Sequence, residues 1–412
     1  MTGIGETLIA GAVDYGDAVI MPGVIDAHVH INEPGRTEWE GFETATLAAA
    51  AGGVTTIVDM PLNSSPVTTN VEALKAKMQS TTGKLHVNVG FYGGLVPGNL
   101  HEISSLAEAG VLGIKCFLTH SGIDDFPDVP VSLLRDVLPL LSDYSIPLLV
   151  HCELSGEEEH LEKHFATYDD YLKSRPDKWE TAAIVKVIEA AAFTGGWVHV
   201  VHVSSAESLP LIRDARLKGI TITAETCPHY ILFNADQIPD KQTVYKCAPP
   251  IRSRENNDKL AAALKDGTLN FIASDHSPAP PALKEIDTGD LVKAWGGIAG
   301  LQFLLSTSYT SLKGHMTLED FIPLLTEKPA EFLQLNKKKG YLKIGYDADI
   351  CIWNPEISHV VASTGIHHRH KASPYIGQEL YGKVLETIVD GQTVFSNDSF
   401  NILNAGKWVL RK

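Results

Sequence analysis

Cysteine is scarce in this chain. Its five residues, at positions 116, 152, 227, 247 and 351, show no short metal-binding spacing. An odd, dispersed set excludes a disulfide framework and points to reduced thiols in an intracellular compartment. Basic charge is also in deficit. There are 34 lysines and arginines against 50 aspartates and glutamates, for a formal net charge of -16. That balance argues against nucleic acid and against anionic membrane surfaces as partners. No apolar run is long enough to cross a bilayer, and the amino terminus lacks a basic stretch leading into an apolar one. Neither a membrane span nor a secretory signal is therefore expected. The last residues, Leu410-Arg411-Lys412, are not the usual peroxisomal tripeptide. Low-complexity tracts are missing too. The expectation is an acidic, soluble, intracellular protein, with cytoplasm and organelle both open.

Apolar residues are plentiful, at 44% of 412. That length is too great for one ordinary core and predicts a large domain with a smaller one. Eight short apolar runs stand out: Val24 to His30, Thr55 to Met60, Val87 to Tyr92, Gly113 to Leu118, Pro147 to Cys152, Trp197 to Val203, Ile220 to Thr226 and Leu269 to Ser274. Several are continuous and β-branched, as expected of strands buried on both faces. Helical patterns fall between them at Thr44 to Ala51, Asn70 to Met78 with a possible asparagine cap, Thr181 to Phe193, Ser204 to Lys218 and Glu255 to Lys265. Eight strand-helix repeats predict an α/β fold, a (β/α)8 TIM barrel over residues 22–340. A doubly wound open sheet is the competing architecture. Beyond the eighth strand, Leu301 to Leu312 and Leu318 to Leu335 pattern as helices. Tyr341 to Trp353 and Val384 to Phe395 pattern as strands. With residues 1–21, residues 341–412 are assigned to a small β-sandwich domain. His367-His368-Arg369-His370 is expected to be a solvated loop.

The strand ends carry the chemistry. Asp26-Ala27-His28-Val29-His30 closes the first strand, and histidines at i and i+2 of a strand share one side. Imidazole is a good ligand for zinc and related metals. Lys115, His151, His202 and Asp275 stand at the ends of the fourth, fifth, sixth and eighth strands. In a barrel these ends converge on one face. Any one of them alone could be a core histidine or a lysine reaching water; five strands ending in this way is a pattern. Lys115 is the odd member, because an ammonium repels a cation.

These residues resemble the amidohydrolase superfamily, in its cyclic-amidase branch, nearest the family that hydrolyses allantoin. The likeness runs from about Val19 to the C-terminus. Its further motifs are Glu33-Pro34-Gly35-Arg36 through Phe42, Asp59-Met60-Pro61-Leu62-Asn63-Ser64, Gly113-Ile114-Lys115-Cys116-Phe117, Thr226-Cys227-Pro228-His229-Tyr230, Lys246-Cys247-Ala248-Pro249-Pro250, Ser274-Asp275-His276-Ser277-Pro278 and Lys293-Ala294-Trp295-Gly296-Gly297. The resemblance implies a metal-dependent hydrolase with two zinc ions. His28, His30 and Asp275 would hold one, and His151 and His202 the other. Lys115, carboxylated on its amine by carbon dioxide, would bridge them together with a hydroxide. Zinc lowers the pKa of bound water to about 7. Asp275 would take the proton of the attacking water and return it to the leaving nitrogen. The expected reaction opens allantoin to allantoate.

Substrate contacts follow from the same likeness. Main-chain groups near Ala248 and Gly297 would hold the ring imide, with plain turn geometry as the competing explanation. Asn63 and Ser64 would meet the ureido group. His120 stands where dihydropyrimidinases place an assisting tyrosine, and is either an oxyanion donor or a loop residue. Asn32 stands where dihydroorotases carry a carboxylate-binding arginine, which fits an uncharged substrate. A dihydropyrimidinase or hydantoinase-like enzyme and a non-catalytic scaffold homologue are the alternatives. A homotetramer is the implied assembly. Relatives carry more residues before the first barrel strand, so the chain is expected to be an amino-terminally shortened form. Glu6 to Val13 would supply at most one strand of an incomplete small domain.

Overall fold

The computed structural model describes residues 1–3, 12–155, 165, 167–401 and 403–411. Its strands begin with β1 (Val19–Pro22) and β2 (Val24–Val29), followed by β3 (Val54–Asp59), β4 (Asn88–Phe91), β5 (Gly93–Gly94) and β6 (Ile114–Phe117). Then come β7 (Leu148–His151), β8 (Val198–Val200), β9 (Ile222–Thr226) and β10 (Phe271–Ile272). From β2 to β10 every pairing is parallel. β4 and β5 are two halves of one stave, the first bonded to β3 and the second to β6. The ring closes where Val29 bridges His276, with the His30 amide donating to the His276 carbonyl at 2.8 Å. The result is the expected eight-staved barrel. Every residue of β2, β3, β4, β6 and β7 is buried, which explains why these strands are continuous apolar runs.

Helices pack around the staves. Phe42–Ala51 buries Phe42, Ala45, Ala48, Ala49 and Ala50. Val71–Ser80 starts at Asn70, whose side chain accepts from the Ala73 amide at 2.9 Å, as the sequence suggested. A helix at Val131–Tyr144 was not expected from sequence; it buries Leu134, Val137, Leu138 and Leu141, spaced as one helical face. The predicted Leu318 to Leu335 helix is broken into Leu318–Phe321, a 3-10 turn at Ile322–Leu325, and Glu327–Phe332. Pro323 and Pro329 interrupt the backbone ladder there. Among the described residues no helix is long and apolar enough to cross a membrane.

The late strands are β11 (Ile350–Val360), β12 (Glu379–Val389), β13 (Gln392–Ser396) and β14 (Ser399–Phe400). They form an antiparallel sheet in the order β1-β11-β12-β13-β14. β11 starts later than predicted, because Gly340 and Gly345 take left-handed turns (φ 85° and 86°) and Asp347 bonds back to Lys338. Trp353 of β11 is fully buried against Tyr309 and Phe321, with ring centroids 4.9 and 6.2 Å away. At Gly382 of β12 a Cβ would lie 2.9 Å from that indole and the backbone is left-handed, so only glycine fits. Thr387 ties β12 to the barrel by donating to the Ala50 carbonyl at 2.7 Å. A final short strand, β15 (Trp408–Val409), adds parallel to β4; two residues are too few to leave a pattern in sequence. Most of Glu6 to Val13 lies outside the described residues.

The basic cluster at residues 367–370 is not a solvated loop throughout. His368 is buried beside His276, the Arg369 amide donates to the Glu40 carboxylate at 3.1 Å, and the Arg369 guanidinium donates to the Glu40 carbonyl. A cluster of basic residues reads as surface in sequence, whereas here Glu40, itself fully buried, draws it inward.

One buried ion pair braces the end of β3. Lys77 donates to the Asp59 carboxylate at 2.6 Å and to the Met60 carbonyl at 2.8 Å, and Asp59 also accepts the Ile31 amide at 2.8 Å. Removing one partner strands a buried charge, at a cost of about 3–5 kcal/mol. Lys77→Met should therefore lower the thermal unfolding midpoint by several degrees, and Asp59→Asn in the same chain should restore part of the loss. A single variant that melts like the parent would show that the pair contributes nothing.

Candidate active site

The stave ends meet at one buried point. His28, His30, Lys115, His151, His202 and Asp275 are all at most 8% exposed and all line one cavity of about 350 Å³. His28 and His30 come from the end of β2, Lys115 from β6, and His151 from β7. His202 and Asp275 follow β8 and β10 and take left-handed backbone, at φ 40° and 45°. Such conformations cost of order 1–3 kcal/mol for non-glycine residues and cluster at functional sites.

The donor spacings fit a cation. The Asp275 Oδ1 atom lies 3.1 Å from His28 Nε2 and 3.3 Å from His30 Nε2. His151 Nδ1 and His202 Nε2 are 3.0 Å apart. Ligands about 2.0–2.1 Å from a tetrahedral zinc ion stand roughly 3.3 Å from each other, so both groups have the right separation. His28, His30 and Asp275 together form a possible metal site, their ligand atoms within 4.8 Å of one another.

Protonation supports the same use. Burial lowers His30 and His151 to about 4 and holds His202 well below the ordinary histidine value, so these three are neutral near pH 7, the form that can bind a metal. Burial would lower His28 too, but Asp275 and Glu225 beside it raise it to about 9. For Asp275, burial alone would raise the carboxyl. His28 and His30 beside it outweigh that and keep it well below the usual carboxylate range. Lys115 is fully buried, and its Nζ has no hydrogen-bond partner among the described residues. It sits 4.2 Å from the centre of the Phe117 ring, and burial pushes its ammonium down to about 8.

Behind the ligands stand carboxylates that the sequence reading missed. Glu225 accepts from His28 Nδ1 at 2.5 Å and contacts His199 Nε2 at 3.2 Å, and His199 Nδ1 meets Thr223 at 2.9 Å. Glu153 contacts His151 Nε2 at 2.7 Å and is gripped by Arg175. Burial would raise the Glu153 carboxyl, but the Arg175 guanidinium holds it down at about 2. Each carboxylate fixes which ring nitrogen faces the cavity. A signal was available for Glu225: the one charged residue in the otherwise uncharged strand β9.

The expected substrate contacts divide. Asn63, His120 and Ala248 line the cavity. Asn63 is 2% exposed and its Oδ1 has no hydrogen-bond partner among the described residues. His120 is exposed and its Nδ1 accepts the Gly122 amide at 3.1 Å. Asn32 and Ser64 are buried beside the cavity rather than lining it. Asn32 donates to the Pro278 carbonyl at 3.3 Å, and Ser64 to the Pro66 carbonyl at 3.1 Å. Asn32 and Asn63 have φ of 67° and 66°, which asparagine tolerates well. That conformation accounts for asparagine at position 32 independently of substrate charge. Gly297 has its amide on the Lys246 carbonyl and its carbonyl on Lys284, so the neighbouring Gly296 lines the cavity instead.

Comparisons with known proteins point to one family. The model of the amidohydrolase family matches residues 19–394. The chain is 46% identical to a probable allantoinase of Oryza sativa subsp. japonica, over 97% of this chain and 82% of the relative. It is 44% identical to an allantoinase of Arabidopsis thaliana, over 93% of this chain and 79% of the relative. Among solved structures, an L-hydantoinase (dihydropyrimidinase) from Arthrobacter aurescens superposes with a TM-score of 0.90. The two are 31% identical, covering 96% of this chain and 89% of that one. A dihydropyrimidinase from Brevibacillus agri superposes with a TM-score of 0.88 at 27% identity, covering 100% of this chain and 93% of that one.

The carboxylates behind the histidines should matter to metal retention. Losing such a partner typically costs 10–100-fold in metal affinity. Glu225→Gln and Glu153→Gln are expected to weaken binding of a divalent cation by about that factor, read by titration against a competing chelator. Affinities equal to the parent's would show that these carboxylates do not orient the ligands.

Proposed function

The chain belongs to the amidohydrolase family, and from that premise we propose that it hydrolyses allantoin to allantoate. One observation carries the reading: ligand-type side chains from five staves meet in a single buried cavity, in a chain 41–46% identical to allantoinases over more than nine tenths of its length.

The inferred cofactor is a pair of zinc ions. His28, His30 and Asp275 would hold one, His151 and His202 the other, and carboxylated Lys115 would bridge them. Lys115 supports this directly. A buried ammonium with no acceptor is costly, whereas an amine lowered to about 8 is partly unprotonated and can add to carbon dioxide. That step gives a carbamate and releases a proton, turning a misplaced cation into an anionic ligand. When bound, the ions supply Lewis acidity and a water deprotonated near neutral pH.

The chain's own residues do the rest. Asp275, ionised and held beside His28 and His30, accepts the proton of the attacking water. It then delivers that proton to the departing ring nitrogen as the amide C–N bond breaks. Asn63 offers its unpartnered amide oxygen to a ureido N–H. The main chain at Ala248 and Gly296 faces the ring. The cavity, at about 350 Å³, is of a size for a small ligand. A hydantoin or dihydropyrimidine ring is the second reading, favoured by the hydantoinase structures. A scaffold role is disfavoured, since it would not need six buried ligand positions. A homotetramer is the assembly proposed with the activity.

Initial rates on allantoin, hydantoin, dihydrouracil and dihydroorotate, measured side by side on metal-loaded protein, decide between the rings. Allantoin should be fastest, and faster turnover of either alternative ring would replace this reading. Asp275→Asn keeps an oxygen ligand but cannot shuttle a proton, so turnover should fall roughly a hundredfold or more with part of the metal retained. Turnover within a few-fold of the parent would remove Asp275 from the proton path. Lys115→Ala should lose metal and activity together, and full activity in that variant would rule out the carbamate bridge.

A further inference from the structure

Two further segments line the cavity beside the stave ends. One is the turn at Lys246 to Ala248; the other is the loop that follows the eighth stave and returns at Gly296. The two approach closely: a Cβ built on Gly296 would lie 3.9 Å from the Ala248 nitrogen. Neither the Ala248 amide nor the Gly296 amide makes a hydrogen bond among the described residues. Two unpaired N–H groups therefore stand side by side on one cavity wall.

What precedes each amide is fixed. The Trp295 carbonyl, in the peptide that carries the Gly296 N–H, accepts from Lys284 Nζ at 3.0 Å. The Cys247 carbonyl, in the peptide that carries the Ala248 N–H, accepts from the Tyr171 hydroxyl at 2.7 Å. In a trans peptide the N–H points opposite to the C=O. Lys284 lies outside the cavity lining, so pinning the Trp295 carbonyl there turns the Gly296 amide toward the cavity, whereas Tyr171 lines the cavity and fixes the plane of the Cys247–Ala248 peptide at its edge. Lys284 also donates to the Lys246 carbonyl at 3.1 Å and the Gly297 carbonyl at 2.7 Å. Its three donors hold both segments at once, and the side chain is only 5% exposed. Among the described residues no carboxylate pairs with it. Burial lowers the Lys284 amine to about 7, so a group set on carbonyl oxygens with no counter-charge is an expensive way to staple a loop, and its hydrogen bonds polarise the attached amides as donors.

We propose that Lys284 and Tyr171 are positioning residues that set the Gly296 and Ala248 amides as a paired receptor for one carbonyl oxygen of a cyclic imide or ureide substrate. The proposal rests on the ring-hydrolase reading above. It adds which side chains hold the receptor and identifies the substrate feature read there as a carbonyl with no charge.

The variants are Lys284→Met and Tyr171→Phe in the full metal-loaded chain. Steady-state kinetics on allantoin should show KM raised about tenfold in each, with kcat changed less than threefold and metal content unchanged, as for lost uniform binding. A merely structural role would instead lower the active fraction, and with it apparent kcat, at constant KM. That outcome, or unchanged KM in both variants, overturns the proposal. Hydrogen exchange provides a readout that does not depend on activity. The segment around Trp295 to Gly297 should exchange at least several-fold faster in Lys284→Met while peptides from β6 to β8 stay as in the parent. Equal exchange in the loop overturns the positioning role. If the parent turns over none of the four rings, the hydrolase reading fails first, and the exchange result still judges the staple.

Discussion

A lysine with nowhere to put its charge governs this structure. Lys115 is buried among imidazoles and an aromatic ring, with no acceptor for its ammonium among the described residues. An isolated buried ammonium is among the most costly groups a fold can hold. The surroundings relieve the problem only if the amine loses its proton or becomes something else. His30, His151 and His202 are pushed toward neutrality by the same burial, while Asp275 stays ionised. The site is therefore poised for cations, and a lysine carbamate would complete it.

Maintaining such a cluster requires support from further out. Glu225 and Glu153 orient His28 and His151, and Arg175 answers the charge of Glu153. His276 performs a similar task through its backbone, closing the barrel beside Asp275, while its ring accepts the Gly300 amide at 3.2 Å. The left-handed residues His202 and Asp275 add local strain that the surrounding staves must over-determine. This is the usual bargain of an enzyme site, in which stability is spent to hold reactive groups in place.

The two sides of the cavity are built on different principles. The ligand side comes from stave ends, where the parallel sheet fixes each side chain to its neighbours. The other side comes from loops whose backbone is held by lysine and tyrosine side chains. Loops can change while the barrel stays, so a shared metal chemistry can serve several cyclic amides. Full-length superposition on hydantoinases alongside higher identity to allantoinases is consistent with that division.

The barrel and the metal-binding residue types at its stave ends were legible in the order of amino acids alone. Buried parallel strands must be continuous apolar runs, and chemistry at their ends must appear as polar residues terminating those runs, so both left marks at fixed places. His28, His30, Lys115, His151, His202 and Asp275 were legible for that reason. The likeness to a known family, not periodicity, supplied the carbamate and the ring substrate. The remaining features arise only once distant segments are packed together. Glu225 and Glu153 acquire meaning only from the nitrogen they face, and the basic run at 367–370 is drawn onto Glu40 by a contact more than 300 residues distant in sequence. The exchange of Gly297 for Gly296 at the cavity depends on which carbonyl Lys284 reaches. Asn32 reflects a left-handed backbone as much as any ligand. These are relations between distant segments and between peptide planes, and a one-dimensional pattern of polar and apolar residues does not encode them.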